Sequence, residues 1–249
     1  MPPIIAFIAM ETPMTPTASS VTAPPDCAVV ELRRYTLHPG QRDRLIGLFE
    51  REFIESQEAA GLAVLGQFCD LDDADRFVWL RGFADMASRP ASLGAFYGGP
   101  VWQAHRDAAN ATMIDSDDVL LLRPAWPGAG LAAPAPRVAA PAGTCAVHVH
   151  PLAAPASDDL LALCRHTLAP QLASAGVRQQ AWFVTEATPN NFPALPVREG
   201  ESVLVCVAIF ADLAALDAWA GFGPALAPWL ARPTQQLRLL PTPRSALHA

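Results

Sequence analysis

Ala28-Val-Val-Glu-Leu-Arg-Arg-Tyr-Thr-Leu37 is the stretch that decides the fold class. Its β-branched and apolar residues predict a strand, whose side chains alternate between the two faces of a sheet. A helix is predicted next, because apolar residues recur there at helical spacing while charged residues occupy the opposite face. The apolar face comprises Leu45, Ile46, Leu48, Phe49 and Phe53. Gly61 is suited to end this helix, since glycine readily adopts the left-handed conformation found at helix ends.

A hairpin and one further helix and strand complete the pattern. Residues 62–68 and 76–83 are predicted to form the two strands of the hairpin, joined by an acidic turn. Asp85 is suited to begin a second helix, and Val119-Leu-Leu-Leu-Arg-Pro124 supplies a fourth strand. The resulting order, β-α-β-β-α-β, is that of the ferredoxin-like split unit.

The same order recurs in the second part of the chain. Cys145-Ala-Val-His-Val-His150 predicts a strand, Ser157 an N-cap of the following helix, and Gly176 the end of that helix. Phe83-Ala-Asp-Met86 has a counterpart in Phe210-Ala-Asp-Leu213, whose aspartate is again suited to start a helix. A four-stranded sheet with helices on one face leaves its other face apolar, so two such sheets should pack face to face. The predicted fold class is therefore α+β: two tandem ferredoxin-like modules that pack sheet to sheet as an α+β barrel.

The distribution of proline divides the chain into segments. Proline is concentrated near the N-terminus and between the two modules, where Ala and Gly accompany it as in a semi-rigid linker. The expected segments are a flexible N-terminal segment (1–26), the first module (27–123), a Pro/Ala-rich linker (124–143), the second module (144–241) and a C-terminal tail (242–249).

The composition excludes several classes of protein. With 51% hydrophobic and 16% charged residues the chain is too apolar for a disordered protein, and it has no apolar run long enough to span a membrane. The net charge is −7 and the basic residues, all of them arginine, are scattered, so neither a nucleic acid nor an anionic membrane surface is expected as a partner. The five cysteines form no paired motif and no basic residue precedes the apolar N-terminal stretch, which favours a cytoplasmic location.

The first module resembles the NIPSNAP family. The phrases that carry the resemblance are Glu31-Leu-Arg-Arg-Tyr35, Leu37-His-Pro-Gly40, Trp79-Leu-Arg-Gly-Phe-Ala-Asp-Met86, Phe96-Tyr-Gly-Gly-Pro-Val-Trp102 and His105-Arg-Asp-Ala-Ala-Asn110. They cover essentially all of 27–123, whereas the second module keeps the order of elements without these side chains. The resemblance implies the dimeric α+β barrel fold, completed either by this tandem chain alone or by a homodimer.

The resemblance implies less about the reaction. Members of the family include proteins linked to mitochondria and to vesicle traffic. Related barrel families include cofactor-free monooxygenases and haem-dependent aldoxime dehydratases. Fold alone does not determine function, so the function has to be argued from the site.

The first strand and the hairpin carry the strongest candidate site. Alternation places Glu31, Arg33 and Tyr35 on one face of the first strand, and it places Trp79 and Arg81 on one face of a hairpin strand. If these faces converge, an aromatic pocket would hold a carboxylate paired with guanidinium groups, and an arginine there would bind a substrate carboxylate. Glu31 and Tyr35 are therefore candidate catalytic residues, and Arg33, Arg81 and Trp79 candidate substrate-binding residues. The alternative is a structural ion pair at the barrel end or an exposed sheet edge.

A second group of candidates follows in the first module. Helical spacing places Trp102 and His105 on one face, and His105 is the candidate general base because the ordinary pKa of histidine lies near working pH. Tyr97, Trp102 and Asn110 complete the candidate substrate-binding residues. The alternative is an aromatic patch that closes the barrel and carries a half-exposed histidine.

His148 and His150 lie on one face of a predicted strand, a geometry that offers two ligands to a metal. His166, on the following helix, is the one candidate for a third ligand. Sets of Cys and His at the spacing of structural zinc sites are absent, and no residue marks a haem pocket. We therefore expect no metal and no cofactor, and the alternative for the two histidines is a pair packed on the face of the sheet.

Two functions from different classes are compatible with these observations. The first is a small enzyme that acts on an apolar or aromatic metabolite without an organic cofactor, in a monooxygenase-like, isomerase-like or dehydratase-like reaction. The second is a non-catalytic module that binds a ligand or another protein. An enclosed cavity touching Tyr35 and Arg81 would favour a small-molecule site.

Overall fold

The computed structural model of the protein describes residues 27–131, 137 and 141–249. The strands are β1 (Val29–Leu37), β2 (Ala63–Asp70), β3 (Arg76–Phe83), β4 (Met113–Pro124), β5 (Thr144–Leu152), β6 (Gln179–Thr185), β7 (Ser202–Phe210) and β8 (Gln235–Pro241). They close into one antiparallel barrel in the order β1-β3-β2-β8-β5-β7-β6-β4, so that each half of the chain contributes four neighbouring strands. The predicted α+β barrel is confirmed, and a single chain supplies all of its strands.

Helices cover the outside of both half-sheets. They are α1 (Arg42–Leu48), α2 (Ile54–Ala59), α3 (Arg89–Tyr97), α4 (Pro100–Asn110), α5 (Asp158–Leu163), α6 (Ala169–Ser174) and α7 (Leu213–Ala218). The first helix of each half contains a π-helical turn, Phe49–Phe53 and Cys164–Leu168, and a 3₁₀ helix, Gly223–Trp229, replaces α4 in the second half. Over the described ranges, no helix has both the length and the apolar character needed to cross a membrane.

The barrel interior is a packed apolar core. Inward-facing side chains of all the strands fill it, including Val30, Leu32, Phe68, Leu80, Val147, Phe183, Val205 and Leu239. The two half-sheets meet at short ladders of three residue pairs each, β2 with β8 and β4 with β6. The apolar faces of the two sheets are therefore buried against each other, as their alternation predicts.

Helix ends follow the sequence with one exception. Gly61 and Gly176 have positive φ angles of 85° and 83°, as predicted for residues that end helices. Asp212 caps α7 by accepting a hydrogen bond from the backbone N–H of Ala215. The prediction that Asp85 starts a helix is wrong: its carboxylate closes a turn on the backbone N–H of Ser88, and α3 begins only afterwards.

Described parts of the predicted linker and of the predicted C-terminal tail also pack onto the barrel. The N-terminal segment 1–26 lies outside the described residues. Of the predicted linker, Ala125 and Ala129 are buried; the Ala125 backbone N–H donates to the Trp182 carbonyl oxygen, and the Trp182 backbone N–H donates to the Ala129 carbonyl oxygen. In the predicted C-terminal tail, Leu247 joins the barrel core and the Ser245 hydroxyl accepts a hydrogen bond from a backbone N–H of β2. Residues 242–249 are therefore part of the packed structure, because their apolar and hydrogen-bonding groups find partners on β2.

Candidate functional site

The candidate side chains of the first half lie between the sheet and its helices, outside the barrel. Outward-facing residues of β1 and β3, among them Tyr35 and Trp79, pack there beneath α1–α4 and the intervening π turn. Since their strand neighbours Leu32 and Leu80 point into the barrel core, alternation leaves the charged residues on the helix-facing side. The site is therefore a layer between sheet and helices, in one half of the molecule.

Glu31 is the centre of this layer and is fully buried. One carboxylate oxygen, Oε2, accepts hydrogen bonds from Arg33 Nη1 at 2.7 Å and from Arg81 Nη2 at 2.5 Å. The other, Oε1, accepts from Arg89 Nη2 at 2.7 Å and Nε at 2.9 Å. The pairing of Glu31 with Arg33 and Arg81 is confirmed, and Arg81 lies directly opposite Glu31 in the ladder of β1 and β3. Arg89, at the start of α3, is a third partner that is not among the residues predicted from sequence.

The four side chains carry a surplus of positive charge. Arginine stays protonated in proteins, so Arg33, Arg81 and Arg89 contribute three positive charges against the single negative charge of Glu31. Burial alone would raise the pKa of Glu31, but the three guanidinium groups lower it well below its usual range. Burial raises the pKa of the neighbouring Tyr35, whose hydroxyl therefore stays neutral. The cluster has a net charge of +2 and is shielded from water.

Neutral oxygens accept the remaining hydrogen bonds of two of these guanidinium groups. Arg33 Nε donates to the Tyr35 hydroxyl at 2.9 Å. Arg81 Nη1 lies 3.3 Å from both the Gln57 amide oxygen and the Tyr97 hydroxyl, to which it donates. These oxygens solvate the arginines, but they do not neutralise them.

A small cavity of about 30 Å³ adjoins these three acceptors. Its walls are mostly aromatic and apolar; they are Tyr35, Leu45, Phe49, Phe53, Gln57, Trp79, Phe96, Tyr97, Trp102, Ala109 and Met113. The rings pack mainly edge to face, for example Trp102 on Tyr97 with ring centroids 4.9 Å apart. The cavity has room for one group of the size of a water molecule.

The second half contributes to this site through the loop between β6 and β7. The amide oxygens of Asn190 and Asn191 each accept a hydrogen bond of 2.9 Å from Arg89 Nη1. Phe192, Leu195 and Val197 of the same loop pack against the apolar side chains of the first half. The sequence contains no local signal for this contact, because the two asparagines are about a hundred residues from Arg89 in the chain.

Two sequence candidates lie apart from the cluster. His105 faces the π turn, where its Nε2 is 3.5 Å from a carboxylate oxygen of Glu52 and its ring packs on Phe53. Asn110 is exposed at the end of α4. Neither is among the residues that line the cavity, although Phe53, on which the His105 ring packs, is one of them. The structure therefore brings together Glu31, Arg33, Tyr35, Trp79, Arg81, Tyr97 and Trp102.

The corresponding layer of the second half has a different chemistry. Counted from the matching residues Phe83 and Phe210, the positions of the facing pair Glu31 and Arg81 are occupied by the facing pair Ala146 and Ala208. No charge cluster can form at these alanines. The difference between the two halves that the sequence predicts is therefore greatest at Glu31, whose carboxylate has no counterpart in the second half.

The two histidines of β5 are buried in that second layer. The rings of His148 and His150 are nearly parallel, with centroids 6.1 Å apart, and both contact Phe222. Burial lowers their pKa values to about 4 and about 3, so both are neutral at pH 7. His166 is exposed and does not join them. The described part of the chain contains no group of three or more His, Cys, Asp or Glu side chains placed to hold a metal ion.

A larger cavity, of about 520 Å³, lies where β4 meets β6. The loop that follows β6 covers it, and its lining includes Arg123, Arg198 and Asn190. Of the guanidinium cluster and its partners described above, only Asn190 reaches this cavity. It is therefore a neighbour of the cluster and not its binding pocket.

The comparisons with known proteins agree with this architecture. Residues 30–126 match the family model described as NIPSNAP. No curated protein sequence matches the chain. A presumed monooxygenase from Lactobacillus acidophilus NCFM is similar in structure, with a TM-score of 0.55, 11% identity and coverage of 88% of this chain and 98% of that chain.

Two further solved structures show the same similarity. A presumed monooxygenase from Fusobacterium nucleatum subsp. nucleatum has a TM-score of 0.54 and 8% identity, and the match covers 87% of this chain and 93% of that one. An anthrone oxidase-like protein has a TM-score of 0.53 and 12% identity, covering 92% and 98%. At these identities the similarity demonstrates the shared barrel fold alone.

Proposed function

We propose that the half of the closed α+β barrel that contains residues 30–126, which match the NIPSNAP family model, binds a small aromatic or apolar anion and acts on it as an enzyme without an organic cofactor. The observation that carries the proposal is the surplus of two positive charges buried beside an aromatic cavity. A monooxygenase-like reaction is the form favoured by the names of the structural neighbours.

The surplus charge argues for an anionic ligand. Moving a charge from water into a protein interior costs several kcal/mol unless an opposite charge compensates it. A structural ion pair would need one arginine for Glu31, yet three guanidinium groups surround this carboxylate. A bound carboxylate, phenolate or enolate would compensate part of the remaining +2 charge.

The position of the cavity indicates which contacts such an anion would make. Tyr35, Gln57 and Tyr97 lie on the cavity wall, and each accepts a hydrogen bond from Arg33 or Arg81. A negatively charged oxygen in place of one of these neutral acceptors would make a stronger, charge-assisted bond to the same guanidinium group. The aromatic walls would hold the rest of the ligand, with half-buried Tyr97 and Trp102 moving outward to admit it.

The same arrangement supports catalysis. Preorganised positive groups in a site without water stabilise negative charge that develops during a reaction. Here they would lower the energy of a phenolate or enolate, the anion that an aromatic substrate forms on losing a proton and the form that reacts with oxygen. The Tyr35 hydroxyl oxygen accepts a hydrogen bond from Arg33 Nε, so its own O–H is the cavity-wall group free to donate a hydrogen bond to that negatively charged oxygen.

A titration with matched probes tests the binding site. The full-length protein is titrated with benzoate and with neutral benzamide while tryptophan fluorescence is recorded, since Trp79 and Trp102 line the cavity. We expect benzoate to bind and benzamide to bind at least about ten-fold more weakly. Arg89→Gln, which removes one surplus charge, should weaken benzoate binding, whereas Arg165→Gln at an exposed position of the second half should not. Equal binding of the two probes would refute the proposal.

A second experiment separates an enzyme from a ligand-binding protein. Native mass spectrometry of the protein purified from its own host identifies a co-purified small molecule. This molecule is then incubated with the protein and with Arg89→Gln, while product mass and oxygen uptake are followed. Conversion that depends on Arg89 supports the enzyme. A ligand that binds and stays chemically unchanged would assign the protein to the non-catalytic class.

A further inference from the structure

Two neighbouring side chains of the same layer have buried polar atoms without partners. Gln67 is fully buried, and within the described part of the chain neither its amide oxygen nor its amide nitrogen has a hydrogen-bond partner. Trp79 is 2% exposed, and its indole Nε1 also has no partner among the described residues. Gln67 and Trp79 face each other across β2 and β3, so their side chains lie on the same side of the sheet.

The second half shows how a tryptophan in this environment is normally satisfied. Trp182 is buried on the helix-facing side of β6, and its Nε1 donates to the Gln180 amide oxygen at 2.9 Å. The Gln180 amide nitrogen in turn donates to a backbone carbonyl. The first half also has a tryptophan and a glutamine side by side, Trp79 and Gln67, but no hydrogen bond joins their side chains.

Unpartnered polar atoms in a protein interior are costly, and an apolar side chain of similar shape would avoid the cost. Methionine has nearly the shape of glutamine, so packing alone does not account for the amide at position 67. Trp79 lines the cavity, which is large enough for one oxygen-sized group. Gln67 does not line the cavity itself, but it lies directly beside the wall residue Trp79 in the ladder of β2 and β3.

The spacing of the strands that carry these side chains and Arg33 indicates the size of the ligand. Arg33, Trp79 and Gln67 occupy one row across β1, β3 and β2. Adjacent strands are about 4.8 Å apart, so the row spans roughly 10 Å. A single aromatic ring that carries polar groups at two positions fits between the two ends of such a row.

We propose that the Trp79 indole N–H and the Gln67 amide bind a second oxygen of the ligand, opposite the acidic group held by the arginines. The inference rests on the proposed function and specifies its substrate class: an aromatic acid that bears a further hydroxyl or carbonyl group. Gln67 is then a specificity-determining residue, because a site built to hydrogen-bond a substrate oxygen discriminates against the analogue that lacks it.

The test compares benzoate with 2-, 3- and 4-hydroxybenzoate on the full-length protein. We expect the best of the three hydroxybenzoates to bind at least ten-fold more tightly than benzoate. Gln67→Met should abolish this preference and leave the affinity for benzoate unchanged. Trp79→Phe removes the indole N–H donor and part of the ring, and it should also reduce the preference for hydroxybenzoate over benzoate. This variant replaces Gln67→Met as the test if Gln67→Met does not fold.

Urea unfolding supplies a second readout with a matched control. Gln67→Met should raise the urea midpoint or leave it unchanged, because it removes unpartnered atoms. Gln180→Met should lower the midpoint, because it leaves Trp182 without its acceptor, and should not alter the preference for hydroxybenzoate. A preference that persists in Gln67→Met, or is absent in the wild type, overturns this inference alone. Failure of every acid to bind overturns the proposed function as well.

Discussion

Gln57→Glu is the substitution that most directly measures the surplus charge. Gln57 is 1% exposed, and its amide oxygen lies 3.3 Å from Arg81 Nη1. Glutamate has the same shape, so the change adds one negative charge and lowers the net charge of the cluster from +2 to +1. It also removes the hydrogen bond of 3.0 Å from Gln57 Nε2 to the carbonyl oxygen of Phe53.

The opposing contributions are similar in size. Attraction between the new carboxylate and the Arg81 guanidinium is about 4 kcal/mol for charges about 4 Å apart in a medium of effective dielectric constant about 20. Burial of the carboxylate opposes folding by several kcal/mol, and loss of the bond to Phe53 by a further ~1–3 kcal/mol. The other arginines add to the attraction. We therefore expect the free energy of unfolding at pH 7 to stay within about 2 kcal/mol of the wild type.

Gln67→Glu is the matched control. It is an identical change at another buried glutamine, whose side chain forms no hydrogen bond with any guanidinium group of the described residues. Without that compensation the new carboxyl group has to be buried unpaired, which should lower the free energy of unfolding by about 3–5 kcal/mol. The difference between the two variants isolates the effect of the arginine cluster.

The pH dependence of the two variants should have opposite signs. In Gln57→Glu, Arg81 would hold the folded-state pKa of the introduced carboxyl group below its unfolded value of about 4.3. The stabilisation from this group is then complete above pH ~4.3 and is lost as the pH falls through the folded pKa. In Gln67→Glu, burial would raise the folded-state pKa of the introduced carboxyl group, so the deficit of that variant is greatest at high pH and shrinks on acidification.

Urea unfolding followed by circular dichroism at pH 7 and pH 4 checks these values. Urea is uncharged and leaves the electrostatic interactions unscreened. Each variant is compared with the wild type at the same pH, so that the titration of Glu31 cancels. Equal losses in the two variants, or a deficit of Gln57→Glu that shrinks in acid, would refute the argument for a surplus positive charge.

Three further substitutions test other parts of the structure. Glu31→Gln leaves three buried guanidinium groups without their carboxylate and should lower the free energy of unfolding, measured with urea, by about 3–5 kcal/mol. Glu55→Gln, in an exposed ion pair, is the control and should lower it by less than about 1 kcal/mol. Asn191→Ala removes an acceptor of Arg89, so it should lower the free energy of unfolding by about 1–2 kcal/mol and weaken benzoate binding in the fluorescence titration. An unchanged affinity for benzoate would show that the β6–β7 loop does not contribute to the binding site. Leu247→Ala should lower the free energy of unfolding by about 2–5 kcal/mol and so lower the melting temperature. An unchanged melting temperature would contradict the packing of the C-terminal segment into the barrel core.

Much of the fold could be predicted from the sequence, because the strands and helices follow from local periodicity. Alternation in β1 and β3 placed Glu31, Arg33 and Arg81 on shared faces, and their ion pairs follow from the rule that buried charges are paired. It did not determine which face of the strand points into the barrel, since both faces of β1 are buried. Asp85 shows the same limit locally, because an aspartate closes a turn as readily as it caps a helix.

The sequence by itself determined the order of elements, the α+β barrel and the opposite charges that meet on neighbouring strands. Only the tertiary structure decided that the charges are in surplus. Arg89 reaches Glu31 across 58 residues of chain, and Asn190 reaches Arg89 across 101. Such contacts depend on how helices and loops dock onto the sheet, and no residue spacing records that docking. The same docking placed His105 beside Glu52 and left the Gln67 amide buried without a partner among the described residues.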